Sequence, residues 1–216
     1  MDCCSKRICR GCMVATQKRE AEGGLEPRCV YCREPIPKSD EERNKQAMER
    51  IKKNDPSAMG IMAKRRYDIG DYETAFQYWK KAAELGDADA HHNLSVLYRT
   101  GEGVQKDTKK QIYHLEEAAI GGHHMARFNL GIEERNNRKF ERAVKHFTIA
   151  ANLGHHQSTI ALREIYAKGY ARKEDYTTAL RGYQVAEDAM KSRQRDEAEA
   201  YVEEAIKIGL IPKDWK

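Results

Sequence analysis

Apolar residues in the central part of the chain recur at helical spacing. Leu94, Leu97 and Tyr98 share one face at i, i+3 and i+4, and Ile112, Leu115 and Ala119 do the same on the next stretch. Polar and charged residues fill the positions between, so each stretch predicts an amphipathic helix with one face for a core. The pattern is punctuated. Ser39 precedes Asp40-Glu41-Glu42, an N-cap with acids in the first turn, which predicts a polar helix running toward Lys53. Asn54-Asp55-Pro56 then stops one helix and starts another, with Pro56 suited to a first helical turn. Near the end, Ala198, Tyr201, Val202, Ala205 and Ile206 keep helical spacing beneath a charged outer face. They predict a terminal helix that covers the last open face of a stack, with Trp215 packing near it.

The stack itself is written as a repeat. Ala82-Ala83-Glu84-Leu85-Gly86 returns as Ala118-Ala119-Ile120-Gly121-Gly122 and again as Ala150-Ala151-Asn152-Leu153-Gly154, and Ala186 marks a more divergent fourth copy. The copies differ in length at one place: the second carries Gly101-Glu102-Gly103-Val104-Gln105-Lys106-Asp107, and the third passes directly through Asn136-Asn137-Arg138-Lys139. A wholly helical repeat of this length predicts an α-solenoid, each helical hairpin burying its apolar face on its neighbours. Small alanines let the paired helices approach, and the glycine after each alanine pair ends the second helix in a left-handed cap. The apolar pairs Phe76/Trp79, Ile112/Leu115, Val144/Phe147 and Leu180/Tyr183 are read as core.

Composition narrows the class. The 216 residues are 34% charged and 40% hydrophobic, too apolar for a disordered chain, and the net charge is only +5 with both signs interspersed. That balance argues against a nucleic-acid binder, whose cations cluster on phosphate. No apolar stretch approaches the ~18 residues of a membrane span, and Met1-Asp2-Cys3-Cys4-Ser5-Lys6 has no secretory character. The expectation is a cytoplasmic protein with no membrane partner.

All six cysteines, Cys3, Cys4, Cys9, Cys12, Cys29 and Cys32, lie in the first 32 positions. Cys9/Cys12 and Cys29/Cys32 have Cys-x2-Cys spacing, which turns two thiolates toward one tetrahedral ion. Zn2+ ligation is the favoured reading; disulfide or redox pairing are the alternatives. Glu34-Pro35-Ile36-Pro37-Lys38 closes this segment, since two prolines break helices. The expected division is therefore a zinc module at 1–37, a linker helix at 38–54, the solenoid at 55–192, and a capping helix and tail at 193–216.

The order Cys4-x-Lys6-x2-Cys9-x2-Cys12, then Cys29-x2-Cys32-Arg33, resembles the second half of a RING-type zinc finger. The opening ligand pair of that pattern has no counterpart in the sequence, and Lys6 stands where a histidine usually ligates, with Cys3 adjacent. The resemblance implies a module that docks a ubiquitin-conjugating enzyme, hence a ubiquitin-ligase alternative, with Arg33 at the place of the arginine that clamps ubiquitin. The second repeat copy resembles the Sel1-like family, a relative of tetratricopeptide repeats. It carries Ala90, Asn93-Leu94-Ser95, Tyr98, Gly101-Glu102-Gly103-Val104, Lys106-Asp107 and the closing Ala118, Ala119 and Gly122. The two together resemble proteins predicted in diatoms and other algae. The repeat family implies a scaffold that binds a protein partner and does no chemistry itself.

Candidate contacts for that partner are Asn93, Arg127 and Asn129, first-helix side chains lining the inner curve; the asparagines could instead tie neighbouring turns together. Three double histidines, His91-His92, His123-His124 and His155-His156, also stand out. Adjacent histidines diverge by ~100° on a helix and rarely chelate one ion, so they are read as helix-start and surface residues. The acidic pairs Glu116-Glu117, Glu133-Glu134 and Glu203-Glu204 are read as solvated faces.

Overall fold

Helices begin in this chain where a side-chain acceptor can take the orphan donors of a first turn. In the computed structural model, which describes residues 23, 28–29, 37, 39–191 and 193–207, Ser39 Oγ accepts from Glu42 N at 3.2 Å and opens α1 (Asp40–Lys52). Asp55 caps α2 (Pro56–Asp68), accepting from Ser57 N and Ala58 N, and Pro56 fills the first turn as its fixed φ favours. Asp71 caps α3 (Tyr72–Glu84), Asp87 caps α4 (Ala88–Thr100) and Asp107 caps α5 (Thr108–Ile120). His123 takes the same place for α6 (His124–Asn136), with Nδ1 accepting from Ala126 N. The helices α7 (Phe140–Asn152), α8 (His156–Ala167), α9 (Lys173–Met190) and α10 (Arg193–Lys207) complete the described elements.

The chain divides into two compact units. Residues 47–188 form the larger. Within it α2/α3, α4/α5 and α6/α7 are helical hairpins, and each second helix also packs on the first helix of the next: α3 on α4, α5 on α6, α7 on α8. Gly86, Gly122 and Gly154 have φ of 82°, 83° and 84°, the left-handed turn that ends each second helix. The result is the expected all-α solenoid.

Its core runs through the array without a break at the repeat boundaries. One cluster joins Met59, Ala63, Ala75, Trp79, Leu94 and Leu97 across α2, α3 and α4; a second joins Leu115, Ala118, Ala126 and Leu130; a third joins Val144, Phe147, Leu162, Ile165 and Ala179. Each therefore draws on a hairpin and its successor, which is how short repeats bury enough apolar area. In the pair read as core in the fourth copy, Tyr183 packs partly buried against the third cluster, but Leu180 is 37% exposed and Ala179 is the fully buried residue. No further hairpin follows α9 within this unit to cover the Leu180 face.

The longer turn of the second copy also binds its neighbour. Gly103, at φ 71°, sits so close to Tyr72 that a Cβ would lie 2.7 Å from the Tyr72 carbonyl carbon. Tyr67 Oη donates to Glu102 Oε2 at 2.9 Å, so loop and preceding hairpin are joined by backbone contact and by side chains.

The smaller unit contains described residues of 1–46 and of 189–216, among them α10 with Val202 buried and Ile206 packed on it, and Cys29, which is buried. Cys3, Cys4, Cys9, Cys12, Cys32, Arg33 and Trp215 lie outside the described residues. Among the described residues no helix is long and apolar enough to cross a membrane.

Candidate functional site

The first helices α4, α6 and α8 bring together residues that are far apart in the sequence. Their starts carry the double histidines, and the histidines of successive repeats meet. His92 stacks on His123 with ring centroids 4.3 Å apart and planes at 15°; His123 lies against His124, and His124 against His155 at 5.3 Å. Phe128 closes the row beside His155 at 4.6 Å. Contact arises between successive repeats, at His92–His123 and His124–His155, and also within the middle pair, where the His123 and His124 rings stack 5.7 Å apart. The pattern was legible as a repeat of positions; that the positions touch needed the distance between neighbouring hairpins.

These rings have structural duties. His123 Nδ1 caps α6, which leaves Nε2 to face Asp89 Oδ1 at 3.6 Å. His155 Nδ1 lies 2.9 Å from Ser158 Oγ at the start of α8. Burial lowers the His92 pKa to about 4, helped by the positive potential of His123, while Asp89 pulls the other way. Burial also lowers His155, with His124 and His156 adding to it. On the facing second helix, His114 is lowered to about 4 by burial and by His91, whose Nδ1 is 3.0 Å from its own. One of these two nitrogens must donate and the other accept. Among the described residues no group of three or more His, Cys, Asp or Glu side chains is arranged to hold a metal ion.

The three residues read as partner contacts fall in or beside this row. Asn129 Nδ2 donates to His92 Nε2 at 3.4 Å, so it ties α6 to α4. Asn93 Nδ2 instead donates to Asp89 O, one turn back in its own helix. Arg127 is half-buried between α6 and α7, with Nε buried and lacking a hydrogen-bond partner, and the His146 ring opposite has the same condition at Nδ1. Burial, then the Arg127 charge, lowers the His146 pKa. The structure thus gives Asn129 a bridging role, Asn93 a local one, and Arg127 an unfilled donor.

The Sel1 repeat model matches residues 58–87, 88–123 and 124–155, three segments that coincide with the hairpins α2/α3, α4/α5 and α6/α7. Residues 58–155 are Sel1 repeats. The Sel1 match ends before α8 and α9, which nonetheless share the third core cluster with α7.

A Sel1 repeat protein from Oxalobacter formigenes has a similar structure, with a TM-score of 0.61 and 26% identity over 83% of this chain and 72% of that one. The E. coli antigen c5321 shares the fold, with a TM-score of 0.57 and 19% identity over 90% of this chain and 40% of that one. In sequence, the chain is 32% identical to NMB1327 of Neisseria meningitidis over 60% of its own length and 28% of that protein's. It is 24% identical to the rat DAP3-binding cell death enhancer 1 over 59% of its length and 33% of that protein's. The chain spans about a third or less of these curated relatives. Bacterial, mammalian and mimivirus proteins are among the relatives, and the algal resemblance gains nothing from them.

Proposed function

We propose that this chain is a protein-interaction scaffold whose first-helix face receives a segment of a partner protein. Sel1 repeat proteins serve as interaction scaffolds, and this solenoid has the repeats of that family in register. The observation that carries the reading is the first-helix row itself: half-buried Asn93, Arg127 and Asn129 spread over two successive repeats, with the buried Arg127 Nε still able to donate. The test is a photo-crosslinker at position 129 in the full chain, compared with one at exposed Lys80. A partner captured at position 129 and lost when Asn93→Ala and Arg127→Ala are added to that chain, at unchanged melting midpoint, supports the reading; equal capture by that variant overturns it.

The zinc module belongs to the same proposal. Cys3, Cys4, Cys9, Cys12, Cys29 and Cys32 are its ligands, and Cys29 is withdrawn from solvent, as a structural ligand would be. Zinc there would contribute folding energy to the amino-terminal segment. Metal analysis of the purified chain is expected to find one or two zinc ions, reduced by Cys29→Ala; a folded, metal-free chain overturns this part. The ubiquitin-ligase alternative built on Arg33 gains no observation from the described residues.

A further inference from the structure

The turn between α6 and α7 breaks two local rules at once. At the corresponding turn between α2 and α3, Gly70 supplies the left-handed φ of 82° and Asp71 caps the next helix through Thr74 N. The α6–α7 turn has Arg138 and Lys139 at these two positions. Arg138 is held at φ 60°, and Lys139 makes no side-chain cap for α7. An L side chain in that backbone conformation is disfavoured, and so is a missing cap, yet a glycine and an aspartate would relieve both. Backbone strain kept where a simple residue would remove it is a sign that the side chain is used.

Arg138 lines a cavity of about 630 Å3 between this turn and the end of α8. Arg135 and Lys168 line it too, and so do Phe140 and Tyr170, which stack flat on each other with centroids 4.0 Å apart and planes at 6°. Glu164 is the one carboxylate of the lining, 3.6 Å from Arg135. Arg138 and Lys168 have no ion-pair partner within 4 Å among the described residues. Two uncommitted cations therefore stand beside an aromatic wall, in a volume within the range that holds drug-sized groups.

We propose that this cavity binds an acidic peptide segment of a protein partner, its carboxylates on Arg138 and Lys168 and an apolar side chain against Phe140 and Tyr170. Phosphate fits the setting less well. Phosphate groups favour helix N-termini, where backbone N–H groups converge, and of the three helix ends at this cavity only the start of α7 at Phe140 is one, against the C-terminal ends of α6 and α8. Those ends present carbonyl oxygens and negative dipole, which oppose a dense anion and suit a ligand that brings donors together with its acceptors. A peptide does so: its main-chain N–H groups meet carbonyls while its side chains meet the cations. Glu164 adds the same discrimination. The site shares no residue with the Asn93–Arg127–Asn129 row and goes beyond it.

The test is fluorescence anisotropy of the full chain with a labelled Glu-rich decapeptide containing one Leu, and with its Gln-for-Glu counterpart. The Glu peptide is expected to bind and the Gln peptide to bind at least about tenfold more weakly. Arg138→Gly/Lys168→Gln is expected to lose about tenfold or more in affinity. The single Arg138→Gly should keep or raise the melting midpoint, since glycine suits that φ. Lys80→Gln/Lys81→Gln removes the same charge from the exposed face of α3 and should stay within about twofold. Absence of Glu-peptide binding, or equal loss in both double variants, overturns the proposal. Displacement of the peptide by ATP or by a poly(U) strand at lower concentration than by unlabelled peptide also overturns it, in favour of a phosphate ligand. The Asn93→Ala/Arg127→Ala/Asn129→Ala chain should bind the peptide like the parent, which separates this outcome from failure of the first-helix reading.

Discussion

Replacing Gly131 with alanine sets two effects of opposite sign against each other. Gly131 lies inside α6, where glycine costs about 0.5–1 kcal/mol relative to alanine through backbone entropy. Propensity alone therefore expects Gly131→Ala to stabilise the chain. The packing says otherwise. A Cβ at Gly131 would stand 2.6 Å from Phe147 Cε1, 2.7 Å from Cδ1 and 3.0 Å from Cζ, well inside the ~3.5–4.0 Å optimum for carbon pairs. The ring has nowhere to go: Phe147 is fully buried, with Phe128 at 5.5 Å. Overpacking of this kind costs about 1–3 kcal/mol, so the net expectation is destabilisation by about 1–2 kcal/mol. Urea unfolding of the full chain, followed by circular dichroism, should show a lower midpoint at unchanged slope. Phe147→Leu supplies the decisive control, because the preceding repeat pairs Ser95 with Leu115 at the same two positions. The double variant should recover much of the loss, giving a coupling of about 1 kcal/mol or more. A Gly131→Ala chain more stable than the parent, or a coupling of zero, refutes the argument.

Three further outcomes follow from the same geometry. The folded chain keeps His92 and His114 neutral down to about pH 4, whereas unfolded histidines take up protons near pH 6.5. Stability should be level above about pH 6.5 and fall as pH drops toward 4, by about 3 kcal/mol for His92 and less for the more exposed His114; His92→Gln should flatten the profile, and a urea midpoint indifferent to pH would count against it. Asp55→Ala removes acceptors for Ser57 N, Ala58 N and Arg50 Nε, the last at 2.9 Å; it should cost about 1–2 kcal/mol, visible in the thermal midpoint. Gly103→Ala, at positive φ against the Tyr72 backbone, should cost more than about 1 kcal/mol and speed amide exchange in the Gly101–Asp107 loop.

Much of the solenoid can be read without coordinates because periodicity and punctuation agree. Asp55, Asp87 and Asp107 cap helices, alanine pairs sit at helix crossings, and glycines close the second helices at left-handed φ. Legibility fails where the repeat loses its neighbour: Leu180 keeps the repeat's apolar character but has no following hairpin over it. It fails again where contact depends on spacing between repeats. The sequence shows that His124 and His155 each open a hairpin, but their 5.3 Å approach depends on how closely the hairpins pack. The cationic cavity is less visible still, since Arg138 and Lys168 belong to different turns and neither carries a motif. The one available signal is local: an arginine-lysine pair where the first repeat has glycine-aspartate.

Because each core cluster of the solenoid borrows from the following hairpin, one of its repeats cannot be finished before the next is begun. During synthesis α2 and α3 would emerge with Trp79 only partly wrapped, and would gain their full apolar contact after Leu94 and Leu97 of α4 had left the ribosome. Order therefore advances along the nascent chain one helix behind emergence, and any pause that holds α4 inside the ribosome after α3 has left it leaves an oily ledge open to chaperones.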